Sequence, residues 1–175
     1  MILFINEMDV SDYLLTFLSV AKKEKRKVTP IKLQKVFFIL EKEKGVNLGL
    51  DFKPNTFGPY SEKLQNKLYE LAKNGLVIIK YHEVRNKRHE LVGYAESYKI
   101  AQDLENNADN EIIKFFRRWT RKNPNEIMDY VERKYPEYFD TSSNPIGVYV
   151  YKLYKLSNAL SKHKARNRSS DGNGL

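Results

Sequence analysis

The chain has 175 residues, of which 41% are hydrophobic and 13% aromatic, and this composition indicates a domain with an apolar core, which excludes a disordered polypeptide. Cysteine is absent, which excludes disulfides and thiolate chemistry. No apolar run approaches the roughly 20 residues that cross a bilayer, and residues 1–10 lack a signal-peptide pattern. We therefore expect a cytosolic protein. The formal net charge is +9, with basic clusters at 22–27, 85–88, 117–122 and 162–168, which favours a polyanion or an acidic protein as partner and also keeps a protein soluble.

Two helices are predicted before residue 45. Residues 11–23 place apolar side chains at helical spacing, and Ser11 is the expected N-cap. Thr29 and Pro30 predict the N-cap and first residue of a second helix, whose apolar stripe ends before Gly45.

A loop and a third helix follow. Residues 45–60 hold three glycines and two prolines without a sustained period, which predicts a surface loop with a short extended piece. Ser61 can cap a third helix, and Asn74 with Gly75 predicts its left-handed exit, which glycine adopts at low cost.

The next segment predicts a β-hairpin. Residues 76–84 are rich in Val, Ile and Tyr, Asn86 and Lys87 form the expected turn, and residues 89–94 form the return strand. Three helices followed by a hairpin are the order of a winged helix.

Helices are predicted for the rest of the chain. A short helix is expected at 98–106, and a stronger one contains Trp119, whose ring we expect in the core. Asn123 is the predicted cap of the next helix, which Pro136 ends, and Asn144 opens a last one.

The predicted fold class is therefore α+β and mostly α-helical. It is a winged-helix-like core of three helices with a β-hairpin, followed by a C-terminal helical extension. Residues 1–160 are expected to form a single domain, and residues 161–175 a basic, flexible tail.

Four segments resemble the Panacea or SocA-like antitoxin family and its YwgA-like relatives. They are Pro-Ile-Lys-Leu-Gln-Lys-Val-Phe-Phe-Ile-Leu at 30–40, Phe-Gly-Pro-Tyr-Ser at 57–61, residues 68–77 and residues 130–137. The resemblance implies a mostly helical module with a small hairpin, found in antitoxins, protease adaptors and mobile-element or phage-defence genes. It implies protein binding rather than catalysis. We also expect no cofactor. The basic tail differs from the family's pattern and argues against a role restricted to protein binding.

The resemblance makes the second helix and the start of the third a candidate partner-binding surface, formed by Gln34, Lys35, Tyr60 and Ser61. Gln34 and Lys35 lie on the polar side of the second helix, where the amphipathic pattern alone predicts a solvated face. Tyr60 is expected to be exposed beside a helix N-terminus, where free N–H groups can hold an acidic side chain. Helix capping by Ser61 explains that residue without a partner.

A winged-helix DNA-binding regulator is the alternative. Its third helix would enter the major groove and its hairpin tip would contact the backbone, through Lys63, Asn66, Lys73, Arg85, Lys87 and Arg88. Glu70 on the same helix would repel the DNA backbone, and a charged tip is also ordinary protection for an exposed hairpin.

Catalytic chemistry finds little support in the sequence. The chain has three histidines and no recognisable nucleophile, phosphate-loop or zinc-protease motif. A turn at 86–87 would place Glu83 opposite Glu90, with His82 and His89 in nearby pairs. Because side chains of a strand alternate between two faces, too few of these would converge for a metal site, so none is predicted.

Overall fold

The computed structural model describes residues 8–102 and 108–140. Within them the fold is α+β and mostly helical, as predicted, with the three-helix-then-hairpin order of a winged helix. The elements are α1 (Val10–Lys23), α2 (Pro30–Lys44), α3 (Glu62–Lys73), β1 (Val77–Arg85), β2 (Leu91–Ile100), α4 (Asn110–Arg121), α5 (Pro124–Lys134) and a 3₁₀ turn (Pro136–Tyr138). The helix predicted from Asn144 and the tail at 161–175 lie outside the described residues.

The beginning of α1 differs from the prediction. Asp9, and not Ser11, is the N-cap: its carboxylate accepts a hydrogen bond from the Asp12 N–H at 2.9 Å, and the Asp12 carboxylate accepts one from the Asp9 N–H at 3.0 Å. Two aspartates three residues apart thus satisfy two backbone donors at once, which a serine inside the first turn cannot do.

The predicted ends of α2 and α3 are confirmed. Thr29 and Ser61 each accept a hydrogen bond from the N–H three residues on, and Pro30 is the first residue of α2. Gly45 and Gly75 have φ angles of 65° and 75° after the two helices. These boundaries depend on local hydrogen bonds and left-handed exits, which nearby sequence specifies.

The central element of the fold is α2, which packs against α4, α5 and β2. Every residue from 32 to 40 is buried. Phe37 lies 5.8 Å from Phe17 of α1 and 5.9 Å from Phe116 of α4, measured between ring centroids. A helix surrounded on all sides has no solvated face, so the solvent-exposed face predicted for Gln34 and Lys35 is wrong.

The hairpin is longer than predicted. β2 runs to Ile100, so the short helix expected at 98–106 is wrong at its start, and residues 103–107 lie outside the described residues. Tyr98 pairs with Ile79 of β1, and on its other edge its N–H donates to the Val28 carbonyl at 2.9 Å. Pairing on both sides satisfies the backbone as a strand, which overrides local helical preference.

The strand register also differs from the prediction. Glu83 lies opposite Tyr94 and not opposite Glu90. The loop closes between Asn86 and Glu90, which displaces the return strand by three residues, and the register shift between Val84 and Arg85 adds one more. The proposed opposition of two carboxylates therefore does not form.

The two helices that follow the hairpin, α4 and α5, pack against α2. Trp119 is 4% exposed, as expected for a core residue, and its ring centroid lies 4.9 Å from that of Tyr130. Asn123 and Glu126 form the predicted reciprocal cap of α5. None of the helices in the described ranges has the length and apolar character required to span a membrane.

Candidate interaction surfaces

The first candidate surface is the Gly-Pro corner, residues 57–61, which packs on α2. Gln34 holds this corner with two hydrogen bonds: its Nε2 donates to the Ser61 carbonyl at 3.0 Å, and its Oε1 accepts the Ser61 N–H at 2.8 Å. Lys35 Nζ donates to the Pro59 carbonyl at 2.9 Å. Gln34 and Lys35 are 2% and 3% exposed, and Ser61 is fully buried. Of the four predicted partner-binding residues, Gln34 and Lys35 therefore bind this corner, and Ser61 is a buried part of it.

Close packing of the corner requires glycine at position 58. Gly58 has a φ of 81°, and a Cβ built there would lie 2.6 Å from the ring of Phe139. Both the left-handed backbone and the contact with the ring exclude a larger side chain. The Phe-Gly-Pro-Tyr-Ser motif is therefore explained by packing.

Two lysines on α2 are buried and form no ion pair among the described residues, although the Glu126 carboxylate acts on Lys32 through its charge. Burial lowers the pKa of Lys35 to about 7. Burial, and to a smaller extent the charge of Arg26, lowers the pKa of Lys32 to about 8. Lys32 Nζ donates to the Thr120 carbonyl at 2.8 Å, so each ammonium is held by a main-chain oxygen. These lysines join α2 to the corner and to α4.

A small cleft lies over the corner. It has a volume of about 290 Å³, and its lining includes Ile31, Gln34, Lys35, Phe57 and Tyr60. Tyr60 is 38% exposed, as expected from the sequence. It is the accessible member of the predicted partner-binding set, because the side chains of the other three are buried.

The second candidate surface is a tyrosine face, formed by Tyr60, Tyr69, Tyr81 and Tyr94. Tyr81 pairs with Glu96 and Glu83 pairs with Tyr94, so the two strand tyrosines lie on the same side of the hairpin. Tyr81 and Tyr94 are each 64% exposed, and Tyr69 on α3 is 42% exposed.

Two strand carboxylates lie on this face: Glu83, opposite Tyr94, is paired with Arg85, and Glu96 lies opposite Tyr81. Glu96 accepts a hydrogen bond from the buried Tyr98 hydroxyl at 2.8 Å, and Gln65 of α3 donates to the same hydroxyl at 3.1 Å. Burial raises the pKa of Tyr69, and the nearby Glu96, Tyr60 and Tyr81 raise it further. Glu96 forms no ion pair with any cation in the described ranges. The sequence reasoning missed this surface, because it depends on the strand register.

The third candidate surface is the predicted DNA-binding one. Lys63, Asn66 and Lys73 are exposed on α3, as predicted, but the exposed Glu62 and Glu70 lie on the same helix. At the hairpin tip, Lys87 and Arg88 are exposed. Arg85 is not free, because it pairs with Glu83 at 2.6 Å and donates to the His89 carbonyl. Carboxylates therefore offset much of the positive charge here.

The fourth candidate surface is on the opposite side of the hairpin, where Lys80 and Lys99 lie beside the basic turn at residues 25–27 and line a cavity of about 530 Å³. The basic stretch at 22–27 was visible in the sequence. Its meeting with two strand lysines was not, because that requires the packing of α1 on β2.

Metal ligands do not gather on any of these surfaces: within residues 8–102 and 108–140, no group of three His, Asp or Glu side chains could hold an ion. No protein-family model matches the chain, and no curated protein matches it. The resemblance to the SocA-like antitoxins stays a prediction.

Proposed function

We propose that the chain is a cytosolic, non-enzymatic regulator of the SocA-like kind, an antitoxin or adaptor that binds another protein on its tyrosine face. The observation that carries the proposal is the set of partly exposed tyrosine rings, from α3, the corner and both strands, around the Glu96 carboxylate. Within the Gly-Pro corner, Tyr60 is the residue that we propose contacts the partner. The other corner residues hold the backbone that carries Tyr60.

Tyrosine suits a protein interface for physical reasons. It supplies a large, rigid contact area with few rotatable bonds, and tyrosine is enriched among residues that dominate binding energy. Tyr81 and Tyr94 are 64% exposed on paired strands, so the backbone that carries them is fixed before binding. Little ordering entropy then opposes association.

The surface also indicates what the partner presents. A carboxylate between aromatic rings attracts a cation, because the ring faces and the carboxylate both stabilise positive charge. Glu96 is oriented by Tyr98 and forms no ion pair in the described part of the chain. The proposed partner therefore inserts an arginine or lysine, flanked by apolar side chains, between the tyrosines.

The proposal is tested with the products of the two adjacent genes, each co-expressed with the full chain and then titrated against it calorimetrically. The variant Tyr81→Thr with Tyr94→Thr should weaken binding by about 30-fold or more, the loss expected when interface hot spots are removed. The matched control is Ile78→Thr with Val84→Thr, which removes two exposed apolar side chains from the opposite face of the same hairpin. It should retain wild-type affinity.

An antitoxin role adds a second readout. Expression of the partner alone should arrest growth, wild-type chain should restore it, and the tyrosine variant should not. Equal weakening by the tyrosine variant and its control contradicts the proposed surface. Absence of binding by either gene product, together with absence of toxicity, contradicts the antitoxin role.

A further inference from the structure

The two faces of the hairpin differ in charge. Both strand carboxylates, Glu83 and Glu96, lie on the face of the tyrosines. The ionisable residues on the other face are Lys80, His82 and Lys99, because side chains alternate between the two faces along each strand. A face with lysines and no carboxylate attracts anions, so its ligand differs from the cationic side chain that we propose for the tyrosine face.

A third lysine meets this face from the turn between α1 and α2. Val28 forms an antiparallel bridge with Tyr98, in which the Tyr98 N–H donates to the Val28 carbonyl at 2.9 Å. The residue before one bridge partner lies opposite the residue after the other, so this bridge places Lys27 opposite Lys99. Like charges directly opposite each other are destabilising, and an anion between the two ammonium groups would relieve their repulsion.

The same turn contributes two more basic residues, Lys25 and Arg26. Its backbone is fixed, because the Lys25 N–H donates to the Lys22 carbonyl at 3.0 Å and the Arg26 N–H donates to the Ala21 carbonyl at 2.8 Å. Residues 25–27 and the two strand lysines are exposed, and they border the cavity of about 530 Å³. We call this group the cationic surface; its members are Lys25, Arg26, Lys27, Lys80 and Lys99.

The charge of the cationic surface is not neutralised by the described part of the chain. Its five members form no ion pair there, and no described carboxylate lines the cavity. Glu24, the acid beside Lys25 in the sequence, pairs with Arg117 at 3.0 Å and with Arg121 at 2.8 Å, both on α4. Five exposed cations around one concavity therefore produce a strong positive potential.

We propose that the cationic surface binds the phosphate backbone of double-stranded DNA. A duplex carries one negative charge per about 1.7 Å of its axis, so closely spaced phosphates can meet several of these cations at once. Proteins that hold single strands stack the bases on exposed aromatic rings. This face of the hairpin has no Phe, Tyr or Trp, and the exposed Tyr81 and Tyr94 lie on the opposite face.

This arrangement differs from a winged helix that reads DNA with its third helix. Gln65 of α3 donates to the hydroxyl of Tyr98, whose side chain is on the tyrosine side of the hairpin. The cationic surface is on the other side, so a duplex bound there does not contact Lys63, Asn66 or Lys73 of α3. The inference does not rest on the proposed protein partner either, since that partner occupies the tyrosine face.

The test uses the full chain and a fluorescein-labelled DNA duplex of random sequence, titrated by fluorescence anisotropy. If about four phosphates are contacted, binding should weaken by about 100-fold between 50 and 200 mM salt. Lys27→Gln with Lys99→Gln should weaken binding at the lower salt concentration by about 10-fold or more and reduce the log-log salt slope by about 2. Lys27→Arg with Lys99→Arg should bind like the wild type, because arginine keeps the charge.

The matched control is Lys63→Gln with Lys73→Gln. It removes the same charge from α3 and should change the affinity for the duplex by less than about 2-fold, with the salt slope unchanged. Circular dichroism checks that each variant is folded.

Four outcomes overturn the proposal. The first is a wild-type chain that does not bind the duplex at the lower salt concentration. The second is a loss of affinity for the control as large as for Lys27→Gln with Lys99→Gln, which shows attraction to net charge or binding on α3. The third is tighter binding of single-stranded DNA than of the duplex. The fourth is polyglutamate that displaces the labelled duplex at a lower concentration than unlabelled duplex does, which shows a surface for an acidic protein. None of these measurements requires the proposed protein partner, so failure here is distinct from failure of the tyrosine-face proposal.

Discussion

The Gly-Pro corner and the hairpin use polar and aromatic side chains in opposite ways. At the corner, Gln34, Lys35 and Ser61 are buried and their polar atoms bind the corner's own backbone. On the hairpin, Tyr81 and Tyr94 are mostly exposed. The motif that stands out in the sequence therefore builds the fold, and the surface available to a partner lies on less conspicuous residues.

The largest effect should come from Gln34→Leu. Loss of this side chain leaves the buried Ser61 N–H without a partner, while the Ser61 carbonyl keeps the Gln65 N–H. An unsatisfied buried donor costs about 1 to 3 kcal/mol, so we expect the free energy of unfolding to fall by about 2 kcal/mol. Urea denaturation followed by circular dichroism measures it. Asn66→Leu, on the exposed side of α3, is the control and should change stability by less than about 0.5 kcal/mol. A similarly small change for Gln34→Leu would remove the contrast between the two regions.

The next effect depends on pH and concerns Lys35. Its pKa is lowered to about 7 in the folded chain, against 10.5 for the ordinary group. Between these values the unfolded chain binds a proton that the folded chain has released, so this group makes stability rise with pH, by roughly 1 kcal/mol per pH unit. Below the folded pKa both states are protonated, and the full cost of the buried charge remains.

The variant Lys35→Met removes this pH dependence. We expect the wild type to gain stability relative to Lys35→Met when the pH rises from 7 to 9, measured as free energies of unfolding in urea. The exposed-site variant Lys63→Met should run parallel to the wild type over the same range. Parallel curves for Lys35→Met as well would show that Lys35 is not buried as described.

A smaller effect, of opposite sign, is expected from Lys25→Gly in the basic turn. Relief of the left-handed lysine should raise the unfolding free energy by about 0.5 to 1 kcal/mol. Lys23→Gly, in the last turn of α1, should lower it by about the same amount, since glycine is unfavourable inside a helix. Thermal melts of both variants check the signs. A destabilised Lys25→Gly would show that the lysine side chain stabilises the fold by more than its left-handed backbone costs.

The smallest stability effect should follow Tyr81→Thr. This side chain is 64% exposed, and threonine keeps the strand preference, so the unfolding free energy should change by less than about 0.5 kcal/mol. Its effect is expected on partner binding alone. A loss of stability comparable to that of Gln34→Leu would show that the tyrosine face contributes to the fold in the same way as the corner.

Burial of Gln34 and Lys35 could not be predicted from the helical pattern. The pattern of α2 gives these residues the polar side, and a polar side is exposed only if nothing packs there. In the fold, the corner covers that side and supplies carbonyl and N–H partners from residues 59 and 61, more than twenty positions along the chain. Local periodicity contains no information about such a distant partner.

The other incorrect predictions concern which residues of the two hairpin strands lie opposite each other. Two strands and a turn near Asn86 were predicted correctly, but pairing across the turn was not, because the loop at 86–90 is longer than a two-residue turn and a register shift beside Arg85 displaces the return strand further. A displaced register changes which side chains share a face. The tyrosine face and the meeting of Lys80 with Lys99 were therefore both missed.

The sequence by itself determined the helix caps at Thr29, Ser61 and Asn123 and the burial of Trp119, because hydrogen bonds within one turn and an apolar stripe are local properties. Only the tertiary structure decided which polar residues face inward and which charges meet in a cavity. Those outcomes depend on contacts between segments far apart in the chain, and burial then decides whether a lysine binds a main-chain carbonyl or remains available to an anion.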